Sequence, residues 1–421
     1  MRRKKVTQMN FNAQKPTVMT IANVTGPETM ERVGVAILRE CEFDVYTKNK
    51  RMDVVIEHKG AHPKFWVYAD KDTALLCKLS NMRYSIDGEL IMTKVLDSIS
   101  FAHVKYLPAI CILPSDETAY ATLSPDAIKG RTKKVGSGEL EEISGRSLAS
   151  QYLNFVYDTQ HGKTVKYQHT VDFYVKAIDE LYNLSSSELK NLRNDMLKQA
   201  LIQGLFVMND MHEENIGFLV NKSTKKMSLM PIYDYGSALQ LNWNFKSTYN
   251  KSKTFNGYLT KDLQENVLQK RANNLLSSGK NNIMFGVHTP LIDANTKFHT
   301  SENDRRETFT KDSLLVLMRE LAHEMQHNKE LRAFYENIKR QVDFYHIRDF
   351  YANSFDPTTN EQLVPEIYID VAEQTFKASC FMLDKEIKNA KCFEPLNENV
   401  DKILKENQLG NIPIYNKKLE R

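Results

Sequence analysis

The sequence predicts an α+β protein with two lobes, a small β-rich lobe followed by a mainly helical lobe. The chain has 421 residues, more than one hydrophobic core usually supports. Three short strand-like runs lie close together before residue 81, whereas apolar residues recur at helical spacing from about residue 145. The predicted divisions are an N-terminal lead-in and helix over 1–52, the β-rich lobe over 53–143, and the helical lobe over 144–421.

Composition narrows the class of protein. Hydrophobic residues make up 41% and aromatic residues 10%, which is ordinary for a folded chain. The net charge of +4 is small and the basic residues are dispersed, so direct nucleic-acid binding is not indicated. The five cysteines are widely spaced without a Cys-x-x-Cys pair, which favours reduced thiols. No apolar run reaches membrane-spanning length, so we expect a cytoplasmic protein without a membrane partner.

Local patterns predict the elements of the first lobe. Residues 1–27 have no firm period and are expected to form a partly ordered lead-in. The run 28–43 has its apolar residues largely on one helical side, which predicts an amphipathic helix. Strand-like runs at 53–59, 64–70 and 74–80 are joined by short turns, so an antiparallel meander is the economical topology.

The remaining pattern alternates strand and helix before becoming helical. A helix is predicted over 86–101 and a strand or strand pair over 104–114, and the charged, glycine-containing segment 127–142 is expected to be an exposed loop. Further helices are predicted over 167–182 and 185–208. The second of these begins with a Ser-x-x-Glu capping-box pattern.

Three polar residues are concentrated between 201 and 239. The preceding helix leads directly to Asp210, with Asn215 five residues later, and an apolar strand hairpin is predicted over 216–232. Asp234 follows its second strand. All three side chains therefore lie at the ends of one hairpin, where they can converge.

This spacing is suited to phosphoryl transfer. The reaction needs Mg²⁺ to neutralise phosphates, a carboxylate that orients the attacking hydroxyl, and a cation on the phosphates. Kinase catalytic loops use Asp-x-x-x-x-Asn and a later Asp, and Asp210, Asn215 and Asp234 match that order. Asn and Asp supply the hard oxygen ligands that Mg²⁺ prefers. Taken singly, Asp210 also fits a helix-end or turn residue and Asn215 a hydrogen bonder in a turn; the combination with Asp234 favours phosphoryl transfer.

A candidate nucleotide-binding segment lies upstream. The turn Lys-Gly-Ala-His-Pro-Lys at 59–64 precedes an apolar strand that contains Lys78, and Glu89 follows near the start of the next helix. A lysine flanked by apolar residues is costly to bury without a charged partner. Glu89 and ATP phosphates would supply that partner; alternatively, Lys78 points outward from an edge strand.

These residues resemble the signatures of the HipA-like serine/threonine protein kinases. The stretch Asn-Asp-Met-His-Glu-Glu-Asn over 209–215 and Pro-Ile-Tyr-Asp over 231–234 are similar to the patterns N-x-D-x-H-x-x-N and P-x-Y-D. Here Asn209 adjoins Asp210 without an intervening residue. The turn Gly-Ala-His-Pro-Lys and the strand ending Cys-Lys-Leu also resemble the family, and the likeness covers roughly residues 55–240.

The resemblance implies a bilobal protein-kinase-like fold, ATP and Mg²⁺ as cofactors, and a role for each motif residue. Asp210 would be the catalytic base in the loop 208–215, His212 would brace that loop, and Lys78 paired with Glu89 would bind phosphates. The implied Mg²⁺ ligands are Asn215 and Asp234. The residues implied to cover the phosphates are Gly60, Ala61, His62 and Lys64.

The family also implies a class of substrate and a regulatory partner. Its members phosphorylate proteins, and several are toxins held by a DNA-binding antitoxin, so an antitoxin-like partner is implied. Two features depart from the family pattern. Residues 57–64 contain no Ser or Thr that would match an autophosphorylated serine near the phosphate loop, and the stretch before residue 55 leaves little room for an N-terminal subdomain.

A competing motif lies at 323–327, His-Glu-Met-Gln-His in a helical context. Two His one turn apart can hold Zn²⁺ with Glu324 as general base, as in a zinc metalloprotease, although a distant residue such as Glu336 would have to be the third ligand. The same residues also suit the wet face of a charged amphipathic helix. A third reading is a catalytically silent kinase fold that acts as a binding module.

Overall fold

The computed structural model describes most of the predicted elements. The residues it describes are 17–21, 33–37, 54–57, 64–68, 74–79, 83–112, 118–125, 140–159, 165, 167–208, 210–241, 285–288, 313–352, 362 and 364–390. The chain divides into two compact units. Unit 1 comprises Met1–Lys134, Asp343–Asp370 and Pro413–Arg421, and unit 2 comprises Val135–Val342 and Val371–Ile412.

Unit 1 is built on one sheet. Its strands in chain order are β1 (Thr17–Ile21), β2 (Val33–Ile37), β3 (Val54–Glu57), β4 (Lys64–Tyr68), β5 (Ala74–Leu79), β6 (Leu107–Ile112) and β7 (Thr118–Pro125). Their order in the sheet is β1-β2-β6-β7-β5-β4-β3. The pairs are antiparallel except β2 with β6, which is parallel. The predicted β3-β4-β5 meander is confirmed.

The helix predicted over 28–43 is wrong at residues 33–37, the part of that range which the structure describes. Residues 33–37 form β2, which pairs with β1 on one side and β6 on the other. The β-branched residues Val33, Val35 and Ile37 alternate along this segment, a pattern that suits a strand, and dense apolar content satisfies a helical period at the same time. The lead-in likewise contains a strand, β1, and β7 was not predicted.

Helix α1 (Arg83–Ser98) packs on β6 and β7 of unit 1 and confirms the helix predicted over 86–101, shifted by three residues. Its buried face includes Leu90, Ile91, Val95 and Leu96. Helix α7 (Phe344–Ala352) also belongs to unit 1 and contacts α1, where Tyr351 Oη donates to the Leu90 carbonyl at 3.3 Å.

Unit 2 contains a second sheet, of strands β8 (Leu140–Ser144), β9 (Gly217–Asn221) and β10 (Met227–Leu229), in the antiparallel order β10-β9-β8. The β9–β10 hairpin confirms the predicted one. Strand β8 corrects the end of the loop predicted over 127–142. Its partner β9 lies far along the chain, so the hydrogen bonds that make it a strand leave no local pattern.

Unit 2 contains six described α-helices, of which the third is largely buried. They are α2 (Gly145–Thr159), α3 (Val171–Tyr182), α4 (Ser186–Leu205), α5 (Ser313–His327), α6 (Lys329–Gln341) and α8 (Glu366–Asn389), the last of which begins in unit 1. The predicted capping box of Ser185 and Glu188 is confirmed at the start of α4. Every residue from 196 to 208 is buried, so the C-terminal half of α4 and the turn after it lie in the core. Among the described helices, none is long and apolar enough to cross a membrane.

Candidate functional site

The chain leaves the buried end of α4 in a sharp turn that exposes Asp210. Helix α4 ends at Leu205, and the Met208 amide donates to the Gln203 carbonyl at 3.0 Å. Val207 has a φ of 47°, a conformation that is a genuine outlier for a β-branched residue. Asn209 lies outside the described residues, and the Asp210 side chain is 55% exposed. The turn therefore delivers a solvent-accessible carboxylate from a rigid core helix.

The loop from Asp210 to Asn215 closes on itself. Asn215 Nδ2 donates to the Asp210 carbonyl at 2.6 Å, and the Asn215 amide donates to the His212 carbonyl at 2.9 Å. The Glu214 amide donates to His212 Nδ1 at 3.1 Å, and His212 Nε2 lies 3.9 Å from Asp210 Oδ1. Because a carbonyl can only accept, the first bond fixes the orientation of the buried Asn215 amide. Its oxygen Oδ1 is the atom left to ligate a cation.

Tyr233 joins this loop to the segment that carries Asp234. Its hydroxyl donates to the Glu214 carbonyl, and burial raises the pKa of Tyr233, so it remains a neutral donor. Asp234 itself has a φ of 51°. A non-glycine residue in the left-handed region costs about 1–3 kcal/mol, and such strain clusters at ligand sites.

An ion pair between the half-exposed Arg146 and the buried Glu213 supports the loop, and the sequence analysis did not predict it. Arg146 on α2 donates to Glu213 Oε1 through Nε at 3.1 Å and Nη2 at 2.8 Å, and its Nη1 lies 2.8 Å from Glu214. Burial by itself would raise the pKa of Glu213, but hydrogen bonds from the backbone and from Arg146 outweigh it and lower that pKa. Glu213 is therefore an ionised anchor of the loop.

His169 supports the loop from a second side. Its Nε2 donates to the Met211 carbonyl at 2.7 Å, and its Nδ1 lies 3.0 Å from Tyr174 Oη and 3.1 Å from Tyr167 Oη. The side chain is fully buried. Burial lowers the pKa of His169 from 6.5 to about 4, against the opposing effect of the Met211 carbonyl.

Acid is expected to destabilise the protein through His169. Its folded pKa of about 4 lies below the unfolded value of 6.5. The unfolded state therefore takes up a proton first as the pH falls, so this contribution is complete above pH 6.5 and is lost towards pH 4. The shift corresponds to roughly 3 kcal/mol of unfolding free energy. Between pH 6.5 and pH 4, the free energy of unfolding measured with urea should fall more steeply for the wild type than for His169→Gln. Equal slopes for the two proteins would contradict this expectation.

Gly145 permits the close approach of α2 to the loop. A Cβ there would lie 2.7 Å from the Glu213 carbonyl oxygen and 2.8 Å from Tyr174 Oη. We expect Gly145→Ala to lower the unfolding free energy by about 1–3 kcal/mol, because the backbone oxygen must move. Gly204→Ala on α4 is the matched control, since its Cβ would meet only the Leu317 and Met318 side chains at 3.3 Å. Equal effects in urea unfolding would show that the contact with Glu213 is unimportant.

In unit 1 the structure brings Lys78 and Glu89 together. Lys78 Nζ donates to Glu89 Oε1 at 2.6 Å, and Thr122 Oγ1 donates to Glu89 Oε2 at 2.7 Å. Lys78 is 5% exposed and Glu89 fully buried. Strand β5 lies between β7 and β4, so Lys78 does not sit on an edge strand. The pairing matches the expectation, whereas the phosphate-binding role of Lys78 stays a prediction.

The predicted phosphate-covering turn falls largely outside the described residues. Gly60, Ala61 and His62 lie outside them, as does the side chain of Lys64. The backbone of Lys64 begins β4 and lies opposite Lys78 in the sheet register. The turn therefore ends beside the strand position of Lys78.

The His-Glu-Met-Gln-His motif on α5 takes part in a structural ion-pair cluster. Glu324 accepts from Arg193 Nη1 at 2.9 Å and Nη2 at 2.8 Å, and it lies 3.0 Å from His288 Nε2. Burial alone would raise the pKa of Glu324, but the Arg193 hydrogen bonds lower it, which makes it a poor general base. Glu336, the candidate third ligand, pairs with Lys339 at 3.0 Å. No group of three or more metal-binding His, Cys, Asp or Glu side chains occurs within the described ranges.

Comparisons with known proteins give structural likeness only. No family model and no curated protein sequence matches the chain. A proinflammatory kinase, CtkA, from Helicobacter pylori is similar with a TM-score of 0.48 and 14% identity, over 81% of this chain and 97% of that chain. A chain from the Shewanella oneidensis MR-1 complex of the toxin–antitoxin proteins HipA and HipB with operator DNA is similar with a TM-score of 0.33 and 11% identity. The match covers 79% of this chain and 67% of that chain. Likeness at this level shows neither family nor activity, so the functional assignment depends on the residues of the site.

Proposed function

We propose that the protein is a serine/threonine protein kinase that transfers the γ-phosphoryl group of ATP to a protein hydroxyl. The observation that carries the proposal is the closed loop in which Asn215 holds the Asp210 carbonyl at 2.6 Å while the Asp210 carboxylate stays exposed. This loop presents a base to solvent and a fixed amide oxygen to a cation. Both are requirements of phosphoryl transfer.

Side chains of unit 2 suit Mg²⁺, and side chains of unit 1 suit ATP phosphates. Asn215 and Asp234 would hold Mg²⁺ through hard oxygen ligands, and Mg²⁺ when bound neutralises phosphate charge. Lys78, held by Glu89 at 2.6 Å, would bind phosphate oxygens. The turn 60–64 would cover the phosphates with backbone amides.

The proposed reaction assigns the proton to Asp210. The acceptor hydroxyl oxygen forms a bond to the γ-phosphorus as the bond to the β,γ-bridging oxygen breaks, and ADP leaves. Asp210 orients the hydroxyl and takes its proton. His212, whose Nε2 lies 3.9 Å from Asp210 Oδ1, would brace the loop.

Incubation with γ-labelled ATP tests the function directly. We expect Mg²⁺-dependent transfer of label to the protein itself or to casein as a generic acceptor, lost on addition of EDTA. The Glu324→Ala variant should retain transfer, because Glu324 is held in the Arg193 ion pair. Complete absence of both transfer and ATP binding would reject the kinase proposal, and stoichiometric zinc lost in His323→Ala would favour the protease. ATP binding without transfer would instead favour the silent binding module.

The bilobal arrangement of domains over 1–52, 53–143 and 144–421 is part of the same proposal, as are the cytoplasmic location and an antitoxin-like partner. These rest on the sequence resemblance. Co-purification of a partner encoded beside this chain would support the regulatory part. A chain that purifies alone from its own cells would count against it.

A further inference from the structure

His169 is a fully buried, titratable side chain to which the proposed reaction assigns no role. It precedes α3, and both of its ring nitrogens are engaged. One bond reaches the Met211 carbonyl at 2.7 Å, immediately after Asp210. A buried polar side chain aimed at the catalytic loop has a position from which it can act on the reaction without touching the substrate.

We infer that His169 is a positioning residue, whose Nε2–H donor holds the peptide between Met211 and His212 and thereby fixes Asp210 relative to Asn215. The inference rests on the proposed kinase function and deepens it. His169 would act through the loop backbone, and Asp210 remains the group that meets the acceptor hydroxyl.

The hydrogen-bond partners decide the tautomer. Because the Met211 carbonyl can only accept, Nε2 must carry the proton. Nδ1 then accepts from a tyrosine hydroxyl, and Tyr167 Oη and Tyr174 Oη lie 3.0 Å from each other as well as beside Nδ1. Which ring nitrogen is protonated is set by the bond that the other one makes. The two tyrosines therefore hold the donor towards the loop.

The surroundings keep this donor neutral. Burial is the main cause that lowers the pKa of His169, and the charges of Glu213 and His212 act on it with opposite signs. The centroid of the Phe285 ring lies 5.3 Å from that of the imidazole. Tyr167 and Tyr174 are neutral, since burial raises the pKa of each well above its usual range. With the pKa of His169 at about 4, the same tautomer persists across neutral pH. His169 is thus a constant support of the loop and not a pH switch.

The loop is held at several peptide groups from outside, and His169 holds the one between Met211 and His212. Arg146 N donates to the Glu213 carbonyl at 3.1 Å and Tyr233 to the Glu214 carbonyl. Without the His169 bond, the peptide between Met211 and His212 loses this buried anchor, whereas the bonds to the Glu213 and Glu214 carbonyls are retained. A displacement of 1 Å at a reacting group can cost about 10²-fold in rate.

Two variants of similar polarity separate positioning from general packing. The amide of His169→Gln reaches about as far as ring Nε2 and can still donate to Met211, whereas the amide of His169→Asn ends near the position of Nδ1. For His169→Asn we expect kcat to fall by about 10²-fold with the KM for ATP unchanged. For His169→Gln we expect kcat to lie within about fivefold of the wild-type value, because its amide can still donate to the Met211 carbonyl.

Hydrogen–deuterium exchange of the peptide that covers 210–215 supplies a readout independent of activity. Exchange should be faster in His169→Asn and similar to the wild type in His169→Gln. Equal kcat in His169→Asn and wild type would overturn the inference, and so would equal exchange in the two variants. If the wild type transfers no phosphate, the proposed function fails, and the exchange comparison alone decides whether His169 holds the loop.

Discussion

Replacement of Asp210 by asparagine is expected to lower phosphate transfer by about 10²–10⁴-fold, the range that a positioned acid–base group supplies. The substitution removes the proton acceptor but keeps the shape of the side chain. The loop is expected to stay closed, because Asn215 binds the backbone carbonyl of residue 210 and not its carboxylate. Initial rates of transfer from γ-labelled ATP, with urea unfolding of the same samples, measure both effects.

The control for this variant is Asp158→Asn. Asp158 is an exposed aspartate near the end of α2 in the same unit, so the change removes the same charge without touching the loop. We expect Asp158→Asn to transfer phosphate at the wild-type rate. Full transfer by Asp210→Asn would show that another group accepts the proton, and the assignment of the catalytic base would be wrong.

Much of the fold was predictable because the patterns that encode it are local. The capping box at Ser185 and the β9–β10 hairpin each depend on residues close in sequence, and both are confirmed. Strand β2 was mistaken for a helix because a dense apolar run satisfies both periods, and its pairing with the distant β6 decides the outcome. Tertiary pairing of this kind overrides local preference.

The contacts of the candidate residues also differ in whether the sequence predicts them. The Lys78–Glu89 contact could be anticipated because a lysine in an apolar strand requires a charged partner, and Glu89 is an acidic residue near the start of the next helix. The Arg146–Glu213 and His169–Met211 contacts join residues 67 and 42 positions apart. Neither pair has a spacing that distinguishes it from any other arginine, glutamate or histidine in the chain.

Replacement of Lys78 by methionine is expected to lower the free energy of unfolding strongly and to abolish ATP binding. Glu89 is fully buried and would keep the Thr122 hydrogen bond but lose the cation 2.6 Å away. Breaking a buried pair by removing one partner costs about 3–5 kcal/mol. We expect a loss of that size in the unfolding free energy, together with loss of ATP binding measured by calorimetry.

A double variant distinguishes the structural role of Lys78 from its proposed role with phosphate. In Lys78→Met with Glu89→Gln both charges are gone and the glutamine oxygen can still accept from Thr122, so most of the lost stability should return. ATP binding and transfer should not return, because a methionine offers no positive charge to a phosphate. Recovery of both would show that the lysine serves the fold alone.

Lys198 provides the matched comparison for the single variant. It is 2% exposed on α4, is paired with the partly buried Glu330 and lies 3.7 Å from Asp195, so it is a second buried lysine with carboxylate partners. Lys198→Met should therefore lose comparable stability, about 3–5 kcal/mol, while the folded fraction keeps its transfer activity. If both lysine variants abolish transfer equally per folded molecule, the loss reflects the destabilised fold, and the proposal that Lys78 binds the nucleotide would be rejected. If only Lys78→Met does so, the burial of its charge is explained by the phosphate it binds.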